Sequence, residues 1–280
     1  GFSTQTSSGS VLLNSNDAGK SGASGSISVA SGSSSYGASG YISMLTGTAS
    51  GGAAGHISIE NGHGNTGAGA YISITSGRTE DLAQGGYIAL TTGKSTQSSS
   101  GPMALKTADA ISGTTGRFTI DTGSSSAGIS GGISIKTGNA AAPGGVQVVV
   151  GASKVDSSSL ASPQHLKGGS IVLAAGATNG KHGTGGDVLL TGGTGTNEHF
   201  ADGGNGGSVG IRGGSSLGKN KDLDVGGNAT INGGFAASSS GGSIVIISGQ
   251  GVTSSSGGVE IRSHDSGKAG SSGEVSLVSG

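Results

Sequence analysis

Two acidic pairs, Glu80 with Asp81 and Asp222 with Asp224, are the first place to look for chemistry in this chain of 280 residues. Paired carboxylates cleave glycosidic bonds when one donates a proton and the other attacks or activates water. Neither pair is accompanied by a basic or aromatic cleft that would bind a sugar, so both read as solvated turn charges. The six histidines, His56, His63, His165, His182, His199 and His264, lack metal-ligand spacing and read as surface side chains. The absence of cysteine removes thiolate metal sites, disulfides and cysteine nucleophiles. The run Asp202-Gly203-Gly204-Asn205-Gly206-Gly207-Ser208-Val209 comes near a calcium-binding nonapeptide, but Ser208 stands where a carboxylate is required, and a glycine turn is the better reading. Gly203-x-x-Gly206 scans as a phosphate loop, yet among 63 glycines such a match arises by chance and no helix follows it. The chain therefore reads as non-enzymatic, with no catalytic residue, no cofactor and no metal site.

What remains is surface chemistry. Asn228-Ala229-Thr230 is the one N-glycosylation sequon, which makes Asn228 a candidate glycan acceptor if the chain is secreted. Tyr41, Tyr71 and Tyr87 occupy one column, which His56 also shares, and form a candidate contact strip. A second column carries Ser28, Ser43, Ser58 and Ser73, suited to hydrogen-bonded lateral contacts or O-glycans.

These columns exist because the chain repeats. Seventeen times, two apolar residues two apart sit between glycines, usually at an interval of fifteen or sixteen residues, as in Gly25-Ser26-Ile27-Ser28-Val29 and Gly131-Gly132-Ile133-Ser134-Ile135. Taking the first apolar residue as the lead position, Gly stands two residues before it in every unit except at Ala70, and five residues after it in fourteen units. Alternation of apolar and small residues is the strand signal, with the lead residue and its partner two positions on facing inward. Four positions after the lead, Ser, Thr or Asn recurs in twelve units, where a short hydroxyl can bond a turn's backbone or its own copy in the next coil. The trailing glycines, such as Gly47, Gly77 and Gly138, are expected to turn the chain at positive φ.

Self-similarity at a fixed short period is what stacked coils leave in a sequence. The expected fold is all-β, a parallel β-solenoid of about 17 coils with a modal period of 15 residues, in which like columns lie over one another. An antiparallel meander is the structural alternative. Residues 1–280 are expected to form a single solenoid domain within a longer chain or filament, because the sequence starts and stops inside the repeat without polar caps. Longer inserted loops fall at 151–168, 192–207 and 214–227, where the spacing between lead residues stretches to between 20 and 25. These segments hold an outsized share of the charge, and form either one raised recognition patch or neutral drift.

Composition sets the remaining bounds. Aromatic content of 3% and charged content of 10% would suggest disorder in a glycine-rich chain, but the periodic aliphatic columns argue for an ordered repeat. A net charge of −1 gives no electrostatic reason to seek nucleic acid or anionic membrane, and no apolar run reaches membrane-spanning length. Near-neutrality also leaves rods free to associate, and outward apolar residues such as Val149, Val172, Leu189, Val245, Ile247 and Val278 would promote it.

The segments Gly241-Gly242-Ser243-Ile244-Val245-Ile246 and Gly131 to Gly138 resemble the Gly/Ser/Thr-rich repeat regions of large cell-surface, adhesive or fibre-forming proteins of microalgae, protists, bacteria and phages. This resemblance implies an extracellular or cell-surface structural role: a fibre, sheath or adhesive rod built by stacking and lateral association. The fifteen-residue coil also resembles the insect ice-binding β-helices, although His56, Ser58 and Glu60 stand where that family carries a threonine ladder. Ice binding and polysaccharide binding are the alternative functions, with glycans as the alternative partner to a second copy of the chain.

Overall fold

The computed structural model describes residues 7–152, 167–199, 201–220, 222–268 and 270–279. Among these residues there is neither a helix nor a β-strand. The chain divides into two units, Gly1–Gly131 and Gly132–Gly280, each an alternation of extended apolar segments and glycine-rich loops.

The β-solenoid expectation is overturned by the way these loops close. In the first unit the Gly86 N–H donates to the Gly77 carbonyl at 2.9 Å and the Gly101 N–H to the Gly93 carbonyl at 3.1 Å. In the second unit the Gly186 N–H donates to Gly176, Gly227 to Gly214, Gly242 to Gly234 and Gly257 to Gly249, all at 2.8–2.9 Å. Each bond joins the glycine that ends one extended segment to the glycine that begins the next. In a solenoid those glycines would sit at opposite ends of neighbouring strands, separated by about 20 Å for a strand of this length. Here the connecting stretch pinches shut at its base instead of travelling back to stack a coil. Among the described residues no extended segment pairs with another in a ladder.

The lead columns are not a core. No described residue is buried; Ile27, Ile88 and Ile133 remain 51–56% exposed, and their partners Val29, Leu90 and Ile135 remain 65–72% exposed. The alternation itself survives: Tyr41 is 91% exposed beside Ile42 at 55%, and Tyr87 is 85% exposed beside Ile88 at 53%. The sequence thus separates two faces, but neither is buried. The chain exposes 27888 Å², against about 10,500 Å² for a globular protein of its mass and about 38,000 Å² for an unfolded one.

Inside the loops, backbone groups are satisfied locally. Ser34, Ser95 and Ser125, each seven residues after a lead position, accept the N–H of Gly37, Ser98 and Gly128 at 2.9–3.0 Å. This is the hydroxyl turn that favours serine between extended segments. Left-handed backbone is confined among the described residues to Gly67 (φ 76°), Gly113 (φ 99°), Gly203 (φ 50°) and His182 (φ 58°). The trailing glycines Gly47, Gly77 and Gly138 are not among them, and a β-carbon on any of the three would meet open space. The expectation of positive φ in that column is therefore corrected.

Of the longer inserted segments, 151–168 falls almost wholly outside the described residues. The other two are closed at their bases, 192–207 by the Gly207 N–H on the Gly193 carbonyl at 2.7 Å and 214–227 by the Gly227 N–H on the Gly214 carbonyl at 2.8 Å.

Candidate functional site

The feature that recurs with most chemical regularity is the neck of each loop. It forms where the glycine two residues before a lead position meets the residue four after the preceding one. The Ser15 hydroxyl donates to the Gly25 carbonyl at 2.8 Å, and the Ser76 hydroxyl to the Gly86 carbonyl at 3.0 Å. At Gly55, Gly116 and Gly131 a β-carbon would sit 3.5–3.8 Å from the side chains of Thr46, Thr107 and Thr122. In the second unit Gly192, Gly213 and Gly233 replace the hydroxyl residue, and the two backbones approach more closely. A β-carbon on Gly192 would fall on the Gly207 carbonyl, one on Gly213 on the Gly227 carbonyl, and one on Gly233 on the Gly242 carbonyl. Glycine is required at these three positions by close approach rather than by φ.

Between necks lie the extended segments, which present the sequence-derived contact residues. Ser28, Ser43, Ser58 and Ser73 are all exposed; the Ser58 hydroxyl donates to Glu60 Oε1 at 2.8 Å, so one member of that column is engaged by its own segment. Tyr41, Tyr71 and Tyr87 are exposed on the face opposite the lead residues. Asn228, beside the neck of Gly227, is exposed as well. These residues are distributed one per unit along the chain rather than gathered into a cleft.

The acidic groups serve turns and ion pairs. Glu80 pairs with Arg78 at 2.7 Å in full exposure, and Asp81 Oδ1 accepts the N–H of Leu82 at 2.8 Å. Asp224 Oδ2 accepts the Asn220 N–H at 2.7 Å, while Asn220 Oδ1 accepts the Asp222 N–H at 3.0 Å. Asp202, within the nonapeptide-like run, lies 3.2 Å from His199 Nδ1. Among the described residues no three His, Cys, Asp or Glu side chains gather where a metal ion could be held. A shallow recess is lined only by the consecutive residues Arg262, Ser263, His264 and Asp265, which is the crease of one segment rather than a binding cavity. No helix among the described residues is long and apolar enough to cross a membrane.

Sequence reasoning anticipated that a hydroxyl four residues after a lead position can bond a turn's backbone. It missed the glycine-to-glycine bond of the neck. The available signal was the pairing of two glycine columns across a connecting stretch, together with three units whose hydroxyl gives way to glycine.

Comparison with family models, with curated proteins and with solved structures finds no match to this chain.

Proposed function

We propose that this chain is a non-enzymatic structural protein that associates with copies of itself to build an extracellular fibre, sheath or adhesive. The observation that carries this reading is the regular presentation of apolar pairs on extended backbone, one pair per repeat, with none of the described ones buried. Exposed apolar columns favour burial against another surface. Extended segments with unpaired N–H and C=O groups also template pairing with another chain. A second copy in register matches every interval between units, the longer ones included, and the net charge of −1 offers little repulsion to oppose it.

The resemblance of the Gly241 to Ile246 and Gly131 to Gly138 segments to repeat regions of fibre-forming and adhesive surface proteins supports the same reading. Sedimentation and electron microscopy of the purified chain over a wide concentration range test it. Concentration-dependent filaments or sheets are expected, and a strictly monomeric species at all concentrations refutes the proposal.

A further inference from the structure

We propose that Tyr41, Tyr71 and Tyr87 form an oxidative cross-linking site that joins copies of this chain through carbon–carbon bonds between like tyrosines. The inference rests on the self-association proposed above and adds a covalent step to it.

Three observations carry it. The three rings share one column, immediately before the lead residue, in units of the same half of the chain. That column points away from the half-covered lead residues, as the exposures of Tyr41 and Tyr71 (91% and 86%) against Ile42 and Ile72 (55% and 52%) establish. The residue before each tyrosine is Gly40, Ala70 or Gly86, so no large side chain flanks the phenol on that side. None of the three phenols takes part in a described hydrogen bond, which leaves the ring edge open to a second ring.

The chain has no cysteine, so disulfides cannot lock an assembly of it, whereas phenol coupling can join like residues of two copies. When copies associate with equal intervals aligned, each tyrosine of the column meets its own counterpart. The required co-reactant is hydrogen peroxide acting through a haem peroxidase. Two phenols each lose a hydrogen atom to the oxidant, and the two phenoxyl radicals join at carbons ortho to oxygen. The ortho hydrogens then shift to restore both phenols, and the peroxide leaves as two molecules of water.

Tyr36 supplies the internal control. It is more exposed than the other three but sits on a loop, between Ser34 and Gly37, whose hydroxyl and N–H are bonded at 3.0 Å. Mere accessibility would make it react as well as the other three.

The test treats the full chain with a plant peroxidase and hydrogen peroxide, after sedimentation has established its state of association. Linked peptides are identified by mass spectrometry, and the blue emission of coupled tyrosine is recorded. Tyr41–Tyr41, Tyr71–Tyr71 and Tyr87–Tyr87 links are expected to dominate, and the Y41F/Y71F/Y87F variant, compared with the parent at a matched degree of association read by sedimentation, is expected to lose most of the emission. Assemblies whose links run mainly through Tyr36, or a triple variant that emits as strongly as the parent, overturn the cross-linking site while leaving self-association intact. A chain that stays monomeric at every concentration overturns both.

Discussion

The substitution Gly192→Ala asks whether the loop necks are built by steric fit. A β-carbon at this position would fall on the Gly207 carbonyl, with the carbonyl carbon 2.8 Å away. Both are backbone atoms and cannot swing aside as a side chain would. The neck must open, and with it goes the Gly207 N–H bond to the Gly193 carbonyl at 2.7 Å. A single amide bond contributes about 1 kcal/mol net, so the closed form should lose roughly five-fold in population relative to the open one. Amide hydrogen exchange at Gly207, read by nuclear magnetic resonance, is the direct assay, and its protection should fall by that factor. Gly47→Ala is the control, because a β-carbon there meets nothing within 4 Å. Unchanged protection at Gly207 in the Gly192 variant, or an equal loss in the Gly47 variant, would refute the close-approach argument.

Calorimetry of the dilute chain should show no cooperative heat-absorption peak, since no described residue is buried and unfolding would expose little new apolar surface; a sharp transition at low concentration would contradict the open arrangement. Ile59→Asp and Ile135→Asp should each change the isolated chain by less than about 0.5 kcal/mol, as exposed positions do, yet raise several-fold the concentration at which sedimentation detects association. Ser76→Ala removes the hydroxyl bond to the Gly86 carbonyl and should loosen that neck alone, seen as faster exchange at Gly86, whereas Ser76→Thr should preserve it. The Arg78–Glu80 pair is almost fully exposed and screened by solvent, so Arg78→Ala should leave exchange throughout the Gly77–Gly86 loop unaltered.

The parts of this architecture that could be read from the residues are those set by nearest neighbours. Alternation at Ile27 and Val29, or at Ile88 and Leu90, fixes which side chains share a face, and the exposures of Tyr87 and Ile88 keep that order. The serine turns at Ser34 and Ser95 follow from local competition of a hydroxyl for backbone N–H groups. The path of each connecting stretch is another matter. An interval of fifteen residues is equally compatible with a stretch that travels back to stack a coil and one that closes on itself. Only the meeting of Gly77 with Gly86 distinguishes them, and that contact depends on where two backbones cross. The positive φ expected at Gly77 failed for a related reason. Left-handed residues cap the loops at Gly67 and Gly113, several positions further on, where the chain actually reverses. For the surface columns of Ser28, Ser43, Ser58 and Ser73 the residues gave placement but not partners, because a contact between chains leaves no mark within one.

Each neck also stores length. The ends of the Gly77–Gly86 loop are held at a 2.9 Å hydrogen bond, while the nine intervening peptide links could span about 30 Å if drawn straight. The loop from Gly193 to Gly207, with fourteen links behind one bond of 2.7 Å, holds about 45 Å in the same way. Pulling on the chain would therefore open many small clasps one after another, each giving way without disturbing the next and each able to close again when tension falls. A strand held at both ends by neighbouring copies would behave as a shock absorber rather than a stiff rod. Single-molecule stretching should record a smooth, low-force, reversible extension in place of the tall, regular force peaks of a chain of packed domains.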